Sequence, residues 1–86
     1  MLGDTAPFDE WADRDDPPLS VWRTVKAWID TAGNRPWLYL SVPVEDLSNR
    51  PFDEVRSAVV PGTAVQVYYR HQYATNIVDV IAVVTD

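Results

Sequence analysis

The stretch AVQVYYRHQYATNIVDVIAVVT, residues 64–85, decides the fold. It holds two runs rich in Val, Ile and Tyr, at 64–70 and 76–85, joined by the polar residues His71, Gln72, Tyr73, Ala74 and Thr75. That pattern predicts two β-strands forming a hairpin. The first run alternates Val65, Val67 and Tyr69 with Gln66, Tyr68 and Arg70, as an amphipathic outer strand does. The second is apolar on both faces except at Asp79, which predicts a central strand covered on both sides.

Upstream, Pro61-Gly62 marks a turn that needs positive φ at the glycine. Residues 51–59 read as a helix, because Ser48-Asn49 can cap it, Asp53 and Glu54 suit its first turn, and Phe52, Val55 and Val59 share a face. Residues 37–44 read as a strand with Leu38, Leu40, Val42 and Val44 inward and Trp37, Tyr39, Ser41 and Pro43 outward; Pro43 puts it at an edge or ends it. Asp16 before Pro17 and Gly33-Asn34 frame a helix over roughly 17–32 with the stripe Trp22, Val25, Ile29 and Ala32, and Lys26 sits four residues before Asp30. The expected fold class is therefore α+β, in the order α-β-α-β-β. If the last strand is central, the other two flank it in parallel, joined by the second helix in a right-handed crossover, as a three-stranded split β-α-β sheet. One face of so small a sheet stays partly uncovered until the N-terminal residues, the first helix or a second copy of the chain completes it.

The chain has 86 residues, 47% apolar, with no Cys, one His and a net charge of -6. That is enough for one small domain. Without Cys there is no disulfide or thiolate zinc site, and one His cannot build a multi-histidine metal centre, so neither metal nor cofactor is expected. No run approaches the roughly 18 apolar residues of a membrane span, and the start lacks the order of a signal peptide, which points to a cytoplasmic protein.

The charge is unevenly placed. Residues 1–16 carry Asp4, Asp9, Glu10, Asp13, Asp15 and Asp16 against Arg14 alone, whereas residues 17–86 are nearly balanced. The chain thus divides into an acidic arm, 1–16, and a single domain, 17–86. Phe8 and Trp11 in the arm would share a helical face, so that aromatic anchors fill a partner's pocket while Asp9, Glu10, Asp13, Asp15 and Asp16 meet a basic rim. Trp37 and Tyr39, on the exposed side of an edge strand, join them as weaker candidates. Direct nucleic-acid binding is disfavoured, since phosphate contacts need the opposite sign of charge.

Tyr68, Tyr69, Arg70, His71 and Tyr73 form the one cluster with acid-base potential, and Arg70-His71 could serve a nuclease acting without metal. The blander reading has Arg70 paired across the hairpin with Asp79. Tyr69-Arg70 followed by Asp79-Val80-Ile81 and Val83 resembles the C-terminal hairpin of the RelE/ParE toxin superfamily. The resemblance implies a toxin-like fold, covers the hairpin alone and carries no catalytic residue across. The serines lie in no nucleophile elbow, the glycines are too dispersed for a phosphate loop, and the N-terminal acids lack the order of a calcium loop.

The functional expectation is a non-enzymatic acidic protein that occupies a basic, nucleic-acid-binding surface of a protein partner such as a nuclease complex. Inhibitors fit this description: antitoxin or immunity proteins, and anti-CRISPR-like phage proteins whose carboxylates stand where phosphates would bind. The alternatives are a toxin-like nuclease built on Arg70-His71 and a homodimeric structural or adaptor subunit.

Overall fold

The computed structural model describes residues 1–37, 41–44 and 53–86. Two helices, α1 (Ala6–Asp15) and α2 (Leu19–Asn34), precede four strands, β1 (Val42–Pro43), β2 (Asp53–Val59), β3 (Val65–Gln72) and β4 (Ile77–Thr85). The strands form an antiparallel meander in the order β1-β2-β3-β4. The fold is α+β, but the three-stranded split sheet is not what forms.

The difference lies in residues 51–59. Instead of a helix, Asp53–Val59 is a strand paired along its whole length with Gln72–Gln66 of β3. The spacing of Val55 and Val59 suits either period, and an available β3 edge decides between them, since strand preference depends on the neighbour more than on the residue. Without that helix there is no crossover, and Pro61-Gly62 simply turns β2 into β3, with Gly62 at φ +80° as expected. Of the strand expected at 37–44, Val42–Pro43 pairs with Ser57 and Arg56 at the sheet edge, and Leu38, Tyr39 and Leu40 fall outside the described residues.

The hairpin forms, but β3, expected as the outer strand, is an inner one paired with both β2 and β4, and it runs on through His71 and Gln72, which the sequence pattern places in the loop. The β3–β4 register slips once, Tyr68 facing Ala82 while Tyr69 faces Val80, so Ile81 is the extra residue of a bulge. The slip turns Val83 to the same side as Val78 and Val80, which explains an apolar run longer than strict alternation would allow. β4 does have neighbours on both edges, because the N-terminal residues run parallel to it: Gly3 N–H donates to Val78 O (2.7 Å), Val78 N–H to Met1 O (2.8 Å) and Val80 N–H to Asp4 O (2.8 Å). Gly3 is required there, since a Cβ would lie 2.2 Å from Asp79 Oδ1. β4 is not covered on both faces, however, for Ile81 and Val84 remain exposed.

Both helices lie on one face of the sheet. Phe8 and Trp11 of α1 and Val25 and Ile29 of α2 pack against Val60, Val65, Val67, Tyr69, Val78, Val80 and Val83, with Trp22 and Trp28 half-buried around them. Residues 1–16 are thus part of the domain and not an arm. Asp16, expected to cap the second helix, is instead the C-cap of α1 in the left-handed region (φ 44°, ψ 57°), and α2 begins after Pro18.

Candidate functional site

α1 is built to be fixed. Its two aromatic residues, expected to anchor a partner, are 6% (Phe8) and 0% (Trp11) exposed. Phe8 packs 5.7 Å from Trp11 and 5.6 Å from Trp22 between ring centroids, and Trp11 Nε1 donates to Thr85 Oγ1 (2.8 Å). An Arg14 guanidinium nitrogen donates to Val83 O (3.2 Å). Burial of this magnitude leaves Phe8 and Trp11 no surface for a partner; they hold the helix, and its charged side chains, the carboxylates and Arg14, face outward.

Asp9, Glu10 and Asp13 are exposed and make no side-chain hydrogen bond or ion pair with the described residues. Asp9 and Asp13 are four residues apart, about 6 Å along the helix axis. Arg14 Nε donates to Asp15 (3.0 Å), and that bond, with the Thr85 hydroxyl and the Arg14 charge nearby, holds its carboxyl below the usual range against the opposing effect of burial. Asp16 is exposed and its carboxylate is likewise unpartnered.

Asp9 in the first turn suits the helix dipole and Glu10 stands four residues before Arg14, but the remaining acids do not serve the helix. Like charges at i, i+4 are destabilising by about 0.2–0.5 kcal/mol. Asp13, Asp15 and Asp16 crowd the C-terminal end, where the helix dipole disfavours carboxylates, and Asp16 holds a backbone conformation that Gly would adopt more easily.

A second group of side chains gathers at the other end of the sheet. Trp37 is 64% exposed and lies 6.2 Å from the His71 ring, which meets Tyr73 edge-on at 5.0 Å. Tyr73 Oη donates to Glu54 Oε2 (2.6 Å), a bond to a carboxylate that pushes the Tyr73 phenol up. Glu54 Oε1 accepts from Arg56 (2.7 Å), and Arg56 also donates to Ser41 Oγ (2.7 Å) and Ser41 O (2.9 Å). Beneath them Tyr69 donates to Pro36 O, and burial raises its phenol as well. Tyr39 lies outside the described residues.

Adjacent residues of a strand point to opposite faces, and this separates the Arg70-His71 pair. His71 is on the helix side, 7% exposed, with Nε2 bonded to Asn76 Oδ1 (2.9 Å). Arg70 is on the open side, opposite Asp79 in the register but ion-paired with Asp53 (3.7 Å). Asp79 instead accepts from Gln72 (2.8 Å) and from the Asp4 N–H (2.8 Å). The sequence reading missed Glu54 and Arg56 because it placed them on a helix; only the pairs Glu54 with His71 and Arg56 with Tyr69 in the β2–β3 register bring them to the aromatic residues.

Among the described residues no group of three or more His, Asp or Glu is arranged to hold a metal ion, and no helix is long and apolar enough to cross a membrane. Comparison with known protein families, curated proteins and solved structures finds no match.

Proposed function

We propose that this chain is a non-enzymatic binding protein that occupies a basic surface of a protein partner, of the kind that handles nucleic acid, and that α1 is the element it presents. The observation that carries the reading is the division of α1 into a locked aromatic face and an outward row of carboxylates. Asp9, Glu10 and Asp13 have no side-chain partner among the described residues, and Asp13 and Asp16, at the C-terminal end, oppose the helix that bears them. Charges retained against local stability are explained by what they meet outside the molecule. Spaced about 6 Å apart on a rigid rod, they can stand in for a row of phosphates, which is the logic of an inhibitor of the anti-CRISPR, antitoxin or immunity kind.

The test is retention of proteins from a lysate of the source cells on the full chain and on the triple variant Asp9→Asn, Glu10→Gln, Asp13→Asn, washed at rising salt. Removing residues 1–16 is not a usable control, because it removes part of the core. A basic nucleic-acid-handling protein held by the native chain at low salt and lost from the variant supports the reading. Equal recovery on both refutes it.

A second reading has its own observation. Val42, Val59 and Val84 are exposed on the sheet face opposite the helices, where a second copy of the chain could pack. Light scattering decides it: a monomer at high micromolar concentration excludes a stable homodimer.

A further inference from the structure

The linker between the helices and the turn between β2 and β3 enclose an open groove of about 650 Å³ at the C-terminal end of α1. We propose that this groove seats one arginine side chain of the basic partner; the inference rests on the reading of α1 given above and locates its specific contact.

The walls and the mouth of the groove differ in chemistry. Pro17, Pro18 and Val21 give it apolar surface over the buried Trp11 and Val65, suited to the methylene stem of a long side chain. Asp15 and Asp16 border it, and among the described residues no Lys, Arg or His does. Arg14, the nearest cation in sequence, is turned to Asp15 and to Val83 O. A further exposed acid sits close by, for the Asp86 N–H donates to O of Ala64, a groove residue.

The backbone adds to the same field. Asp16 N–H closes the last helical bond, to Ala12 O (3.1 Å). The next two positions are Pro17 and Pro18, which have no N–H, so the carbonyls of Asp13 and Arg14 receive no donor from the residue four ahead. The negative end of the helix dipole and the Asp16 carboxylate, which has no partner among the described residues, therefore meet at the groove. A carboxylate beside a helix C-terminus suits a guanidinium, with five donors in a planar fork, better than the point charge of an ammonium. A side chain borne by a polypeptide fits an open groove at the end of the helix that bears the outward acids, because the rest of its chain can pass over that helix.

The experiment uses the full-length chain, isotope-labelled for NMR, titrated at low salt with a capped tetra-arginine peptide and with its lysine counterpart. Asp16→Asn is the decisive variant, since Asn tolerates the left-handed backbone and removes only the charge; Asp16→Gly repeats the test with the backbone fully at ease. The expected result is amide shifts concentrated at Asp16, Gly62, Thr63, Val65 and Thr85, stronger binding of the arginine peptide than of the lysine peptide, and about fivefold or greater weakening in both Asp16 variants. The triple variant Asp9→Asn, Glu10→Gln, Asp13→Asn should weaken peptide binding less than Asp16→Asn does. Equal effects of Asp16→Asn and the triple variant, or shifts spread over α1 without the groove, overturn the groove and leave the acidic-helix reading standing. So does absence of peptide binding when the native chain still captures a basic partner; absence of both overturns the two together.

Discussion

Trp11→Ala separates a structural helix from a recognition arm in one measurement. The Trp11 side chain is fully buried between Phe8 and the strands and bonds Thr85. Truncating a buried Trp to Ala destabilises by about 3–5 kcal/mol, and the lost indole bond lies within that range or adds about 1 kcal/mol. A domain of this length has a total stability of roughly 4–13 kcal/mol, so the change removes from about a quarter of the stability to all of it. Urea denaturation followed by far-ultraviolet circular dichroism is the assay. With a slope near 1 kcal/mol/M, the midpoint should fall by about 3 M or more, or the variant should be unfolded without urea. Trp37→Ala, at a largely exposed ring, is the matched control and should cost under about 1 kcal/mol. If Trp11→Ala loses no more than Trp37→Ala, α1 is not part of the core and the reasoning fails.

Three further outcomes are expected. Gly3→Ala drives a Cβ into Asp79 Oδ1 and the Ile77 side chain and should release the N-terminal residues from β4; hydrogen exchange would show Val78 and Val80 amides losing protection while the β2–β3 amides keep theirs. Asp16→Gly relieves the left-handed backbone and removes a carboxylate from a helix C-terminus, which should raise stability by about 1 kcal/mol, read as a rise in the urea midpoint. Asp15 has a carboxyl held below its ordinary value, so its contribution to stability is present above the usual carboxylate range and is lost as pH falls through the lower folded value; carboxyl-carbon NMR should show Asp15 titrating below the ordinary Asp range, and Thr85→Ala should move it back toward that range.

The hairpin at 64–85, the Pro61-Gly62 turn and the apolar stripe of α2 were legible because each rests on local signals: alternation, a glycine at positive φ, and a 3.6-residue period. The Lys26–Asp30 pair, at 3.6 Å, is of the same kind. β2 was not legible, because Asp53–Val59 carries helix-start acids and a spacing compatible with either element, and what decides it is a partner strand that sequence order does not announce. α1 was hidden by its charge. Six acids in sixteen residues read as an acidic arm that offers Phe8 and Trp11 to a partner, whereas the shared face of those two rings is buried against the chain's own sheet. Arg70 and His71 were misleading in the opposite sense, since neighbours in sequence are the two residues of a strand least able to meet. The carboxylates of the candidate site were legible as charges, but their fixed presentation and the groove at Asp16 depend on packing between elements distant in the chain.

The two ends of the molecule bear differently on binding. His71, beside Trp37, faces Val78 across the β3–β4 ladder, whereas the groove lies at Thr85, seven residues further along β4, about 23 Å at 3.3 Å per residue. An interface of ordinary size covers about 800 Å² per partner, a patch of roughly 16 Å radius. An interface centred on the groove therefore takes in the outward acids of α1 but leaves Trp37 outside it. On the proposed reading the side chains fall into three kinetic classes, measurable by surface plasmon resonance against the captured partner. Asp16→Asn should raise the dissociation rate, because it removes an acceptor from a seated guanidinium. The triple variant Asp9→Asn, Glu10→Gln, Asp13→Asn should mainly lower the association rate and flatten its salt dependence, as exposed rim charges do. Trp37→Ala should change neither. A large rise in dissociation rate from Trp37→Ala, with Asp16→Asn silent, would move the interface to the aromatic end of the sheet and leave the acids of α1 as long-range steering alone.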